Sequence, residues 1–202
     1  LTFFNTAIAC FEQEIFSIKA IGIDMQTIIT TARQSFVLRK AKAQDLPEVL
    51  DIFDGVVAWL VSIGNAQQWG EVPWSTSARQ IDRVSEALAL PDAWVVETQD
   101  GGVCAAIVMG DAMPYVPLAA QPECYVRLLI VKRGQQYKGI GRQLLAFADQ
   151  QAKEKGIHHL RLDCYAGGNG NLVKFYQSCG YRSTLSFNDE GWSGQVLERN
   201  LG

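Results

Sequence analysis

The chain has 202 residues, 48% of them hydrophobic and 19% charged, with a formal net charge of −3. That balance supports one globular domain with a sizeable core, and it excludes the sequence-wide basic field that non-specific nucleic-acid binding needs. The five cysteines are odd in number, widely spaced and without a Cys-x-x-Cys pair, which reads as reduced thiols in a cytoplasmic protein.

The opening segment, LTFFNTAIACFEQEIFSIKAIGID, is broken by Glu12, Glu14, Lys19 and Asp24, so its uncharged runs are too short to span a bilayer. It also lacks the basic leader and small-residue cleavage site of a secretory signal. With the first methionine at Met25, residues 1–34 are expected to stand outside a domain running from 35 to 202. Neither a membrane nor a nucleic acid is an expected partner.

SFVLRKA (35–41) alternates like a strand. Asp45, followed three residues later by Glu48, forms a helix-capping signal, and Pro47 is tolerated in a first turn. Leu46, Val49, Leu50, Phe53, Val57 and Leu60 then recur at helical spacing up to Gly64. The turn-rich NAQQWGEVPWSTS carries Trp69 and Trp74, which either cover the core edge or line a substrate pocket. A second helix follows, with Ala78, Ile81, Val84 and Leu88 on one face. AWVVETQ and VCAAIVM flank Asp100-Gly101-Gly102, a hairpin signal.

ECYVRLLIV (123–131) is a longer strand, and the turn GQQYKGIG (134–141) hands it to a helix with Leu144, Leu145, Ala148 and Ala152 on one face. After Gly156 come the strand HHLRLDCY, the short helix NGNLVKFYQSC, and a closing pair, YRSTLSF with SGQVLER. The order β-α-α-β-β-β-α-β-α-β-β predicts a mixed α/β (α+β) fold, its sheet largely antiparallel and turning parallel at one strand–helix–strand crossover. His158 and His159, adjacent on a strand, face opposite ways. They are expected at an edge or surface, and no metal is expected.

A glycine turn opening a helix can offer free N–H groups to a phosphate, or it can be a plain solvated connection. A P-loop is excluded because Lys138 precedes Gly139 instead of following a glycine. The dinucleotide fingerprint fits poorly, although Asp163 mimics its ribose-binding acid. A third pattern, Gln/Arg-x-x-Gly-x-Gly/Ala, is met by Gln136-Tyr137-Lys138-Gly139-Ile140-Gly141. With the apolar strand ending Leu129-Ile130-Val131, the helix after the turn, and the later stretch from Asn169 to Tyr176, Gly180 and Tyr181, the chain over about 36–202 resembles the GNAT superfamily of N-acetyltransferases.

The resemblance implies a flanked, mostly antiparallel sheet with a central strand splay, and transfer of acetyl from acetyl-CoA to a primary amine by direct attack in a ternary complex. It implies that Gln136 to Gly141, with Lys138 and Arg142 at the rim, wrap the pyrophosphate, where glycine spares the backbone a Cβ. It also implies that the backbone of Leu129 polarises the thioester, that Val131 bonds the pantetheine arm, and that Tyr176 protonates the departing thiolate. Asn169 holds the cofactor arm or caps the short helix.

The base is the open task. By strand periodicity Glu123, Tyr125 and Arg127 share a face with Leu129; Glu123 is the candidate, acting through water, with Asp111 and Asp163 as competitors. Cys164 has no histidine on a matching face and reads as a small buried thiol. Trp69, Trp74 and Tyr125 are the candidate acceptor contacts. A small-molecule amine is the first expectation for the acceptor, a protein N-terminus or lysine the second, and a homodimer is compatible with the sequence. A non-catalytic acyl-CoA-binding domain is the alternative, because no carboxylate stands out as the base.

Overall fold

Eight strands form one sheet in the computed structural model, which describes residues 27–31, 34–189 and 191–202. In chain order they are β1 (Thr27–Thr30), β2 (Ser35–Lys40), β3 (Asp92–Glu97), β4 (Val103–Gly110), β5 (Cys124–Val131), β6 (His159–Tyr165), β7 (Arg182–Asp189) and β8 (Trp192–Asn200). Across the sheet they run β1-β2-β3-β4-β5-β6-β8-β7. Helices α1 (Leu46–Ser62) and α2 (Ala78–Leu88) join β2 to β3, α3 (Ile140–Glu154) joins β5 to β6, and α4 (Asn171–Ser178) joins β6 to β7. Only β5 and β6 pair in parallel, as a crossover through a helix requires.

β1 lies inside the 1–34 segment expected to stand apart, yet it pairs antiparallel with β2 in the register Thr27↔Leu38. The sheet therefore begins before position 35. Residues 1–26, including Cys10, lie outside the described residues.

The helices cover both faces. On one side the apolar stripe of α1, with Val49, Phe53, Val57 and Leu60, packs with Val84 and Leu88 of α2 over Val95, Ala106 and Ile130. On the other, Ile140, Leu144, Leu145 and Ala148 of α3 and Tyr176 of α4 pack over Leu38, Ile107, Leu160 and Leu162. Each such fully buried aliphatic side chain contributes about 1.5–3 kcal/mol.

The start of α1 differs from the capping box expected there. Asp45 is buried and does not cap α1; its carboxylate accepts from Arg39 Nη1 and Nη2, at 2.8 and 2.9 Å, and from the Lys42 N–H at 2.7 Å. Glu48 instead reaches across to accept the Val103 N–H at 2.7 Å, tying α1 to the start of β4. A charged side chain on β2 outcompetes the local helix end for Asp45, and a backbone N–H of β4 does so for Glu48.

Two features of β5 shape the centre of the sheet. First, its parallel pairing with β6 stops after three positions, Cys124↔Leu160, Tyr125↔Arg161 and Val126↔Leu162. Second, its register with β4 jumps from Met109↔Val126 to Val108↔Leu128, leaving Arg127 as an extra residue, a bulge that bends and twists the strand. Beyond it, β5 follows β4 while β6 follows β8, and the two part. The bulge also shifts the side-chain phase. Val126 and Leu129 both face α3 and α4, whereas Leu128 and Ile130 face α1 and α2. The expectation that Tyr125 and Arg127 share a face with Leu129 is thereby corrected.

Candidate active site

The parted ends of β5 and β6 form the floor of one large cleft, lined at this level by Leu129, Val131, Asp163, Cys164 and Tyr176. From Arg127 to Val131, β5 pairs only with β4, so its other edge carries backbone groups without a ladder partner. This is the physical origin of unspent N–H and C=O groups at Leu129 and Val131.

The glycine turn closes one end of the gap. Gly139 holds φ +97°, a left-handed conformation that disfavours any side chain, and an added Cβ there would meet nothing within 4 Å. The space over its backbone is open. Arg142 and Gln143 both donate to the Gly139 carbonyl, at 3.1 and 3.2 Å, while the N–H groups of Gly139, Ile140 and Gly141 have no backbone acceptor among the described residues. Three unpaired donors at the positive end of a fifteen-residue helix suit a phosphate.

The side chains of the turn do other work. Ile140 is fully buried, and Tyr137 leans inward, its ring 6.3 Å from Phe36. Gly141 lies beside Phe175, whose ring would stand 3.5 Å from an added Cβ, an ordinary contact distance. Arg142 is engaged with α4, donating to the Ser178 carbonyl at 2.7 Å and to its hydroxyl at 2.9 Å. Gln136 folds over Gly134, and Lys138 is exposed at the rim.

Asn169 sits before α4 at φ 63°, ψ 15°, the only non-glycine positive φ among the described residues, and it lines the cleft. The N-cap of α4 is Gly170, without a side-chain bond, so the capping role expected for Asn169 is not realised. Tyr176 is buried against Phe175 and Tyr181 at 5.2 and 6.2 Å. Burial pushes its phenol well above the ordinary value, a larger mismatch with a thiol than the unperturbed values of about 8.5 and 10 suggest. Burial likewise raises the Cys164 thiol to about 12, with Asp163 adding to it, which suits an inert core thiol.

The carboxylate facing the gap is Asp163, on β6 one residue past the last parallel pair. It accepts the Tyr125 hydroxyl at 2.5 Å and the Tyr115 hydroxyl at 3.2 Å. Burial raises its pKa against the opposing pull of both tyrosines and of Arg83. Glu123 is placed elsewhere. Arg161 grips it with two nitrogens, at 2.5 and 2.7 Å, both side chains are nearly buried, and neither lines the cleft. A carboxylate spent on a buried bidentate pair is a poor base, and Asp111 is exposed and outside the cleft.

Trp69 and Trp74 cover the core edge and also border the cleft. Trp74 stacks on Phe53 of α1 at 4.1 Å, Trp69 lies 5.2 Å from the same ring, and both border the cleft. Tyr125 is fully buried and reaches the cleft only through its bond to Asp163. Sequence reasoning did not single out Tyr115, Tyr165, Phe187 or Trp192, which line the far end. His159 is buried and meets Glu198 at 3.3 Å, against the expectation of a surface position. Among the described residues, no group of three or more His, Cys, Asp and Glu side chains could hold a metal ion, and no helix is long and apolar enough to cross a membrane.

A parallel strand pair that parts beside a glycine-opened helix, on a mostly antiparallel sheet, is the framework of an acyltransferase enzyme. Residues 62–181 match the model of the Acetyltransferase (GNAT) family. The chain belongs to that family. Solved structures share its fold: a GNAT-family acetyltransferase from Listeria monocytogenes is 20% identical with a TM-score of 0.65, over 87% of this chain and 100% of that one. YncA from Salmonella typhimurium, solved with its cofactor acetyl-CoA, is 20% identical with a TM-score of 0.57, over 84% and 95% of the two chains. PaiA N-acetyltransferase from Thermoplasma acidophilum, in complex with coenzyme A, is 18% identical with a TM-score of 0.55, over 83% and 99%. A search of curated proteins finds no match to the sequence.

Proposed function

We propose that this chain moves the acetyl group of acetyl-CoA to the primary amine of a small molecule, by direct attack within a ternary complex. The observation that carries this reading is the juxtaposition of the unpaired β5 edge with the open backbone at Gly139. One feature suits a thioester arm lying as a stand-in strand, the other its diphosphate.

In this reading the N–H groups of Gly139, Ile140 and Gly141 hold the pyrophosphate, with Lys138 at the rim, while the β5 edge at Leu129 and Val131 holds the arm and polarises the thioester carbonyl. The cofactor supplies an activated acetyl group. Asp163 takes the ammonium proton, either directly or through water, and so frees the nitrogen lone pair. As the new C–N bond forms and the C–S bond breaks, the nitrogen gives its second proton to solvent water, and Tyr176 directs its hydroxyl at the sulfur that carries the departing negative charge. Its raised pKa makes it first a hydrogen-bond donor to that sulfur, with the proton passing only as charge builds up. Asp163 and Tyr176 then return to their starting states by exchange with solvent.

The alternative of a cofactor binder without a base loses its ground, since a half-buried carboxylate faces the gap. The test is calorimetric titration with coenzyme A, then release of free thiol from acetyl-CoA across a panel of small amines. Binding with amine-dependent release supports the proposal. Binding without release from any amine refutes it.

A further inference from the structure

The far end of the cleft, beyond Asp163, is walled by rings. Tyr115 lies 5.4 Å from Phe187, Phe187 lies 5.8 Å from Trp192, and Trp192 lies 5.8 Å from Tyr165, all four lining the cleft. The wall is held by hydrogen bonds and packing. The Trp192 indole donates to the Gln68 carbonyl at 2.9 Å, the Tyr165 hydroxyl donates to Gln67 Oε1 at 3.1 Å, and a Cβ at Gly194 would collide with the Phe187 ring. Rings fixed in this way offer apolar area without the entropic cost of ordering them on binding. The wall adjoins the carboxylate directly, because Tyr115 bonds Asp163 with its hydroxyl while its ring meets Phe187.

The charges of the cleft limit the other half of the acceptor. Four arginines and four carboxylates line it, with no lysine, so its formal charges balance and it carries no excess of carboxylates for a polycation. Of the four carboxylates only Asp163 is withdrawn from solvent; Asp82, Glu86 and Asp189 are exposed. One sheltered carboxylate serves one ammonium group.

We infer that the acceptor is a monoamine whose single ammonium group meets Asp163 and whose flat aromatic body packs along the Tyr115–Phe187–Trp192–Tyr165 wall. This rests on the acetyl-transfer reading above and narrows its acceptor. Polyamines and aminoglycoside-like polycations are excluded from the class.

The experiment measures thiol release from acetyl-CoA with 2-phenylethylamine, n-butylamine and spermidine. The specificity constant for 2-phenylethylamine is expected to exceed the other two by about tenfold or more, since burying a ring in an apolar site contributes more than the 1.4 kcal/mol of one decade. Phe187→Ala is expected to erase most of that preference while leaving the KM for acetyl-CoA unchanged, and Phe187→Leu, which keeps apolar bulk at an exposed hairpin, reads the same loss if the alanine variant does not fold. Equal or better turnover of butylamine or spermidine overturns the inference and leaves acetyl transfer standing, as does an aromatic preference unchanged in both variants. Coenzyme A binding with no thiol release from any amine overturns both.

Discussion

The Tyr125 hydroxyl donates to Asp163 Oδ1 at 2.5 Å, joining the stretch of β5 that pairs with β6 to the first residue of β6 beyond that pairing. Tyr125 is fully buried, so the bond fixes the carboxylate from the protein side and turns its other oxygen toward Tyr115 and the cleft. A carboxylate held in this way needs little reorganisation to serve as the proposed base.

Asp163→Asn is expected to lower turnover by about 10²–10⁴-fold, the usual contribution of a general base, without unfolding the protein. The amide oxygen can still accept the Tyr125 bond. The pH dependence has a definite sign. Burial raises the folded pKa of Asp163 above its unfolded value, so its contribution to stability is complete below the ordinary carboxylate range and is lost as pH rises through the raised value. The asparagine variant escapes that loss. Its melting temperature should equal or exceed that of the wild type at neutral pH, with the gap closing in acid. Wild-type turnover should fall as pH drops through the same raised value. A neutral-pH melting temperature well below wild type would show that the carboxylate stabilises the fold.

Tyr176→Phe keeps the contacts with Phe175 and Tyr181 and removes only the hydroxyl. Loss of a hydrogen bond to a charged sulfur costs about 1.5–3 kcal/mol, so turnover should fall by roughly ten- to hundredfold with coenzyme A affinity unchanged. Single-turnover kinetics together with a coenzyme A titration separate the two effects. Unaltered turnover would remove Tyr176 from the chemistry.

From β2 onward the element order was legible because each segment has its own signature, such as the alternation of SFVLRK or the Leu144-Leu145-Ala148 stripe of α3, whereas β1 fell in a segment expected to stand outside the domain. The bulge at Arg127 was not. An inserted residue is defined by the partner strand, and within β5 every residue still looks like part of one continuous strand. Uninterrupted periodicity puts Glu123 on the face of Leu129, and its partner Arg161 sits 38 positions away in sequence. Asp163 was legible as a competitor for the base but not as the carboxylate that faces the gap, since its two tyrosines come from β5 and from the loop before it. The turn was legible as a backbone feature, but which of its side chains point inward depends on Phe36 and Ser178, both distant in sequence.

Gly139 and Gly141 should respond differently to alanine. At Gly139 the left-handed φ of +97° costs a side chain about 1–2 kcal/mol, and the new methyl group would stand in the open space assigned to phosphate. Gly139→Ala should therefore lose stability and weaken coenzyme A binding by about tenfold or more. Gly141 lies in the first turn of α3, and a Cβ there meets only ordinary contacts at 3.5 and 3.7 Å, so Gly141→Ala should fold at least as stably as the wild type. Thermal melts and calorimetry on both variants check the contrast. Equal coenzyme A affinity in Gly139→Ala would sink the phosphate assignment.

Glu123→Gln distinguishes the two candidate carboxylates. If Glu123 were the base, even through water, its amide variant would lose turnover as severely as Asp163→Asn. The ion pair with Arg161, whose side chains are 10% and 12% exposed, predicts a different outcome. Arg161 Nη2 also donates to the Pro117 carbonyl at 2.9 Å, so the pair pins the β4–β5 loop to β6. Removing the negative charge leaves a nearly buried guanidinium without its counter-ion, and breaking a buried pair in this way costs about 3–5 kcal/mol, less whatever the glutamine carbonyl recovers as a neutral acceptor. The variant should melt at a clearly lower temperature while its turnover, measured well below that melt, stays within about twofold of wild type, as it does when a substitution leaves the reacting groups untouched. Because the loop that Arg161 pins also carries Tyr115, loosening it should act first on the acceptor KM. A fall in turnover at saturating acceptor, with the melting temperature unchanged, would return the role of base to Glu123.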